Sequence, residues 1–268
     1  MNHAPLDIDA LRRIFRGRRF GDPPFYSERI ESTNDRALEL LEQGFPDGTL
    51  VLAEEQARGR GRRGHAWSSP PRLGIYASLL LRPVVDPSLL PLVTFAAALG
   101  VARALEGEQD GKTEIKWPND LLVDGRKVAG LLAEARGGEE GPAVVVGLGL
   151  NVNQSRDDFP EALRDRVTSL LMASGRIWDR TLLLTTLLAR WEEDHFRLLE
   201  RGGAEILSRW ERYSSLRNGT RVRADLDGEI LQGLFRGLTP LGEMRLEVEG
   251  GNVRRVAFGE VHRVRGEA

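Results

Sequence analysis

The 268-residue chain has no cysteine, which excludes a disulfide framework, a thiolate nucleophile and any cysteine-held zinc or iron–sulfur site. Histidine is scarce: four residues, at positions 3, 65, 195 and 262. None lies three to five residues from another, so no histidine-based metal site can be read locally. Lysine is nearly missing, with Lys112, Lys116 and Lys127 the only three among 38 basic residues. Charge of one sign is not in excess either. The 38 basic residues face 40 acidic ones for a net charge of −2, which leaves out the clustered basic face that binding to nucleic acid or an acidic membrane requires. Long apolar runs are lacking as well. The longest stretch without a charge covers residues 87–102, is broken by two prolines, and is too short to span a bilayer. The first residues offer no apolar segment of signal-peptide type. The expectation is a cytoplasmic protein with no nucleic-acid or membrane partner. No Walker A sequence, Gly-x-Ser-x-Gly elbow or paired-histidine zinc motif occurs.

What is present reads as an α+β protein of about two domains. Ser32-Thr33-Asn34-Asp35 fits a capping box and starts a helix that Gly44 closes. Strands are expected over 49–54, 74–81, 113–117, 121–123, 127–134 and 142–151, with Asp124-Gly125 as a two-residue hairpin turn. Residues 89–105 read as a buried helix, 182–199 and 204–213 as amphipathic helices, and the stretch 6–19 as a short N-terminal helix. From about residue 216 the pattern changes to five short strands punctuated by Asp227-Gly228, Pro240-Leu241-Gly242 and Gly250-Gly251, the pattern of a small barrel. This tail holds nine arginines against eight acids, which gives it no basic excess. The division expected is a main domain over 1–215 and a small β-barrel over 216–268.

Four short segments carry candidate chemistry. Gly59-Arg60-Gly61-Arg62-Arg63-Gly64 matches the dinucleotide fingerprint formally, but Ser68-Ser69-Pro70-Pro71 follows where a Rossmann turn needs a helix. Its glycines permit close backbone approach, and its arginines suit phosphate; a solvated, mobile surface loop is the competing reading. Lys116 and Lys127 stand out in so arginine-biased a chain, because a compact ammonium fits between two anions better than a guanidinium does; strand-edge charges facing water are the alternative. Lys116-Trp117-Pro118-Asn119-Asp120 is a strand entering a tight turn. In Gly147-Leu148-Gly149-Leu150-Asn151-Val152-Asn153, the glycines mark either a bulge or a backbone lying flat against a nucleotide.

In order and together, these pieces resemble the biotin protein ligases. The resemblance rests on Ser32-Thr33-Asn34, on Gln56 with the 59–64 loop and Trp67, and on Lys116 to Asp120. It extends through Gly125-Arg126-Lys127-Val128-Ala129-Gly130 and residues 147–153. It implies that family's fold, a mixed or antiparallel sheet with flanking helices plus an SH3-like C-terminal barrel, and a ligase-only form without an N-terminal DNA-binding domain. It further implies an ATP-dependent, AMP-forming enzyme that activates biotin as an acyl-adenylate and transfers it to a lysine of a biotin carboxyl carrier protein domain. ATP with Mg²⁺ and biotin would be substrates, with no prosthetic group and no metal site fixed by the protein; a homodimer through a sheet edge is compatible with it.

By the same resemblance, Lys127 would sit between the biotin carboxylate and the phosphate, with Arg60 and Arg62 enclosing it, so that Lys127, Arg62 and Asp120 form the catalytic set. Asp120 would orient the incoming lysine or accept its proton. The biotin side would comprise Ser32, Thr33, Asn34, Gln56, Gly59, Arg60, Gly61, Arg62, Lys127 and Gly130. The nucleotide side would comprise Arg62, Arg63, Trp67, Lys116, Asn119 and Asn151. The arginine loop is expected to order only around ligand. His65 stands where relatives usually place another basic residue. Two other readings remain: a lipoate or octanoate ligase of the same fold, and a non-enzymatic nucleotide or nucleic-acid binding module.

Overall fold

The computed structural model describes residues 3–22, 24–106, 111–137, 141–226, 228–257 and 259–263. Its centre is a seven-stranded sheet in the order β1-β2-β3-β7-β6-β5-β4. The strands are β1 (Pro24–Ile30), β2 (Leu50–Gln56), β3 (Gly74–Leu81), β4 (Thr113–Lys116), β5 (Asp120–Val123), β6 (Arg126–Arg136) and β7 (Ala143–Asn151). Only the β1–β2 pair is parallel; the remaining neighbours run antiparallel. This is the mixed α+β sheet expected from sequence. The Asp124-Gly125 turn joins β5 to β6 with both residues at positive φ, as a tight primed hairpin turn requires.

Alternation along the strands sends the two faces to different tasks. One face, carrying Ile75, Ala77, Leu79, Leu131, Val144, Val146, Leu148 and Leu150, joins the main hydrophobic core. Over it lie α3 (Pro91–Leu105) and α5 (Arg180–Arg201), with α6 (Gly203–Tyr213) beside them. The opposite face is covered only in part, by α2 (Thr33–Glu42), whose Ala37 and Leu40 pack with Val51 and Val145. Two shorter helices, α1 (Ile8–Phe15) and α4 (Leu170–Ser174), are the remaining α-helices among the described residues; α4 was not expected from sequence.

Apart from Thr94 and Arg103, the helix α3 is apolar all round and buries most of its residues, which is the mark of a core helix. Among the described residues the helical run Pro87–Leu105, 19 residues with mean hydropathy 1.7, is long and apolar enough to cross a membrane by length and composition. The helical run includes Arg103, beyond the charge-free stretch 87–102, as the expected helix over 89–105 already did. Two-thirds of its apolar window is nevertheless buried inside the protein. Gly100 lets α3 approach α5 closely: a β-carbon there would collide with the Trp191 backbone. Arg103 reaches across to Asp194, which is fully buried and also bound by Arg209, both at 2.8 Å.

A second buried ion pair ties the sheet to α5. Arg180 holds Glu54 at 2.7 Å with both side chains 3% exposed, and its remaining donors go to the carbonyls of Gly74 and Ala4. The other Glu54 oxygen accepts from the Leu6 amide. Full satisfaction matters more here than the attraction itself, since removing one partner of such a pair costs about 3–5 kcal/mol.

The C-terminal strands β8 (Arg221–Leu226), β9 (Glu229–Leu238), β10 (Met244–Glu247), β11 (Val253–Val256) and β12 (Glu260–Arg263) form a separate antiparallel sheet in the order β11-β10-β9-β8-β12. Five strands match the sequence reading; Asp227 of the Asp227-Gly228 turn lies outside the described residues. Buried Trp117 donates its indole N–H to the Gly242 carbonyl at 2.9 Å and so bonds the main sheet to this second one.

His195 sits in α5 with its ring 5.3 Å from Phe20 and 5.6 Å from Phe196. Burial lowers its pKa from 6.5 to about 4, aided by Arg19 and opposed by Asp47. The unfolded chain therefore takes up a proton that the folded chain refuses. The stability contributed by neutral His195 is complete above pH 6.5 and is lost as pH falls toward 4. Between pH 7 and pH 4.5 wild type should lose on the order of 2 kcal/mol more than His195→Leu, as read from urea unfolding at the two pH values.

Candidate active site

The site is built on the half-covered sheet face, where side chains are smallest. Gly130 on β6 lies directly opposite Gly149 on β7, and Gly147 lies opposite Leu132 on β6 and Ser78 on β3. These glycines are filled from above by other side chains. A β-carbon at 147 would overlap the Asn34 amide, and one at 149 would overlap the Trp67 indole. The sequence signal at 147–153 therefore marks a flat backbone floor and not a bulge, since the β3–β7–β6 register runs through it without a shift.

At the N-terminus of α2, Ser32 caps the helix by accepting from the Asp35 amide. Thr33 and Asn34 follow as its first buried residues. The Thr33 amide and hydroxyl both donate to Gln56 Oε1, at 2.8 and 3.0 Å, and Gln56 Nε2 donates to Ser69 Oγ at 2.9 Å. Ser78 Oγ lies 2.8 Å from Thr33 Oγ1 and 2.6 Å from Asn34 Oδ1, and Asn34 Nδ2 donates to Glu134 at 2.9 Å. Three residues named from sequence, Thr33, Asn34 and Gln56, thus form one hydrogen-bonded cluster with Ser69, Ser78 and Glu134, while Ser32 serves as the cap of α2 beside it. Ser69, Ser78 and Glu134 went unnamed because nothing local distinguishes them: they sit on other strands and loops, and only the sheet register delivers them.

The arginine loop runs from the end of β2 across this cluster. Gly59 is required by close approach, as a side chain there would strike the Trp67 carbonyl. Backbone bonds Gly61 N–H to His65 O and Trp67 N–H to Gly59 O close the loop on itself. Each arginine has an anchor: Arg58 to Glu31 at 3.1 Å, Arg60 to Asp35 at 2.6 Å and Glu134 at 2.8 Å, Arg62 to Asn119 Oδ1 at 3.2 Å, and Arg63 to Asp225. These side-chain contacts tie the loop to α2, to the turn after β4 and to the C-terminal sheet. Arg60 is committed to two carboxylates, and Arg63 is drawn away toward the C-terminal sheet.

A second group lies on the same face. Lys127 Nζ pairs with Asp120 Oδ1 at 2.7 Å and stands 5.3 Å from the centre of the Trp67 ring. The carbon stem of Lys127 and the Trp67 ring both lie against Gly130. Asn119 donates to the Leu131 carbonyl and accepts from Arg62, so it links the turn after β4 to the loop. Burial holds the Arg62 guanidinium below its ordinary pKa, with Arg63 adding to the effect and Asp120 and Glu260 opposing it; a guanidinium stays charged through the physiological range regardless. Lys116 lies opposite Asp120 in the β4–β5 register.

Two nucleotide-side candidates have particular surroundings. Asn151, at the end of β7, gives its amide N–H to the Thr168 carbonyl at 3.0 Å and receives a long 3.5 Å bond from Gln154. The Trp67 indole N–H is buried without a hydrogen-bond partner among the described residues, an unusual and costly state for a donor. A cavity of about 400 Å³ lies on the other side of β6, between Leu90, Pro91, Leu131 and Val144, and reaches Arg62 and Asn119 at its rim. No group of three or more His, Cys, Asp or Glu is gathered to hold a metal ion among the described residues.

With this geometry in place, the likeness to known proteins is specific. Residues 26–151 match the biotin/lipoate A/B protein ligase family. A bifunctional ligase/repressor of Bacillus spizizenii is 38% identical over 232 residues, 86% of this chain and 71% of its own length. A biotin–[acetyl-CoA-carboxylase] ligase of Mycobacterium tuberculosis is 35% identical over 241 residues, 87% of this chain and 86% of its own. Among solved structures, a biotin protein ligase of Aquifex aeolicus in complex with biotin and ATP superposes with a TM-score of 0.78 at 30% identity. It covers 90% of this chain and 99% of that one. Sharing sequence with named biotin ligases over most of its length, and sharing their fold, this chain belongs to the biotin protein ligase family.

Proposed function

We propose that this ligase activates biotin as biotinyl-5'-AMP and transfers it to a lysine of a biotin carboxyl carrier protein domain. One observation carries the reading: a lysine–aspartate pair, Lys127 and Asp120, stands on a glycine floor between a polar cluster at the start of α2 and an arginine held at Asn119. The Mycobacterium relative is a biotin–[acetyl-CoA-carboxylase] ligase, and the Aquifex structure holds biotin and ATP, which favours biotin over lipoate or octanoate.

In the first step a biotin carboxylate oxygen attacks the α-phosphorus of ATP; the bond to the bridging oxygen breaks and pyrophosphate leaves with Mg²⁺, which enters as part of the substrate. Two anions must meet, so the task is charge neutralisation by preorganised cations. Lys127 lies at the centre of the floor and exchanges Asp120 for the carboxylate and phosphate oxygens. Arg62 supplies the second cation. The cluster of Thr33, Gln56, Ser69, Ser78 and Asn34 offers donors and acceptors for the ureido ring. Trp67 covers Gly130 and Gly149 on the side toward Asn151, where the adenosine belongs. In the second step the carrier amine attacks the acyl carbon and AMP leaves. Asp120, freed from Lys127, takes the proton.

Purified protein with Mg²⁺–ATP and, separately, biotin, lipoate and octanoate should form acyl-adenylate and pyrophosphate with biotin alone, as followed by mass spectrometry; adenylate with another acid would move the substrate, and none at all would remove the reading. Lys127→Ala should slow biotinyl-adenylate formation about 10²–10³-fold, and near-wild-type rates would take that role from it. Arg62→Gly should release adenylate to solvent and label bystander lysines, a loss of confinement measured as the ratio of non-carrier to carrier biotinylation at matched adenylate formation.

A further inference from the structure

Just beyond β7 lies a buried polar run that is no part of the hydrophobic core. Asn151, Gln154, Thr168 and Ser169 are each 4% exposed or less, and burying polar groups is costly unless they find partners. Their partners are nearby backbone groups. Asn151 Nδ2 donates to the Thr168 carbonyl at 3.0 Å, Ser169 Oγ donates to the Gln154 carbonyl at 2.6 Å, and Gln154 Oε1 accepts from the Val152 amide at 2.7 Å. The first two of these bonds pin the chain at residues 168 and 169, where it returns to the sheet, against the end of β7.

What the pinned segment touches is Lys127. The Lys127 backbone N–H donates to the Arg166 carbonyl, and the Lys127 carbonyl accepts from the Thr168 amide, both at 2.9 Å. Residues 127 and 167 thereby form a parallel bridge outside the named strands. A residue has one backbone N–H and one carbonyl, so the single backbone donor of Lys127 is spent on this segment and its carbonyl is engaged there too. The ladders on either side explain why help is needed. Between β5 and β6, Leu121 faces Ala129 and Leu122 faces Lys127, which leaves Val128 as one extra residue on β6. A bulge of this kind disrupts the ladder locally and re-aims a side chain. Between β6 and β7, the pairing ends at Ala129 and Leu150 and does not reach Lys127.

We propose that Asn151 and Ser169 are positioning residues for Lys127: by pinning the returning segment they hold the backbone from which the lysine reaches Asp120. Asn151 then acts on the Lys127 end of the site before any nucleotide is present. The consequence for binding rests on the proposed reaction, in which Lys127 meets the biotin carboxylate; the hold on the backbone is measured without it.

The experiment compares wild type with Asn151→Ala and Ser169→Ala, each with its melting recorded; the second leaves the Asn151 side chain intact. Backbone amide exchange of ligand-free protein, followed by NMR, should be about five- to ten-fold faster at Lys127 and Thr168, the scale of one buried hydrogen bond. The Leu131 amide, which donates to the Asn119 carbonyl farther along β6, is the internal reference and should not change. Biotin binding without ATP, read by calorimetry, should weaken about three- to ten-fold in both variants. Unchanged exchange at Lys127 and Thr168 would take the role from the residue replaced, and an equal rise at Leu131 would mean general loosening and overturn the proposal. Faster exchange at those two amides with unchanged biotin affinity would remove its bearing on the site. So would a defect confined to ATP binding, which would leave Asn151 as a nucleotide contact alone. Absence of biotin binding by wild type would instead count against the proposed function, with the exchange comparison still deciding whether Lys127 is held.

Discussion

Everything at the site depends on one steric constraint: the middle of the half-covered sheet face must carry no side chains. Gly130, Gly147 and Gly149 meet this on two adjacent strands. Because they are bare, Asn34 can reach down to Ser78 and Trp67 can lie flat on the floor. Had that face been lined with valine like its reverse, α2 would ride higher, the polar cluster at its start would lose its partners, and Lys127 would have no room beside the indole. The reverse face has the opposite requirement. It is packed by α3 and α5, and the buried Glu54–Arg180 and Asp194–Arg103 pairs connect sheet and helices there. A rigid back supports a front made mainly of polar contacts.

Under the proposed function, those polar contacts are the ones that ligand groups would replace. Lys127 is held by one carboxylate, Arg60 by two, and Gln56 by Thr33 and Ser69. In each case the protein supplies a partner of the kind a substrate would bring. This keeps buried charge satisfied before substrate arrives and leaves the cations already oriented, which is what electrostatic catalysis demands. The Trp67 indole N–H, buried without a partner among the described residues, is the exception on this face. The C-terminal sheet meets the main domain at Trp117, whose indole bonds to Gly242, and at Arg63, which reaches Asp225.

Much of the fold was legible because local rules were obeyed. Asp124-Gly125 could only be a tight turn, Ser32 followed by Asp35 marked a helix start, and alternation in the tail gave five strands. The short helix α4 was missed, having a single turn and no apolar period of its own. Of the candidate site, compact motifs marked out the 59–64 loop, Lys116 to Asp120, Lys127 and Asn151, and the structure brings Arg62, Asn119, Asp120 and Lys127 together beside Gly130. Ser69, Ser78 and Glu134, which the hydrogen bonds add to it, were not, as each is an ordinary residue in an ordinary strand or loop.

What the sequence determined by itself was therefore the inventory: which residues are chemically exceptional, which elements they open or close, and which family of reactions they suit. Those properties live in neighbours along the chain, where capping, turn geometry and periodicity act. The tertiary structure alone decided the pairings. It set Lys127 on Asp120, gave Arg60 to two acids and turned Arg63 toward a sheet 162 residues away. Such choices are made by strand register and by the path of the loop, and neither is written in the identity of the residues that meet.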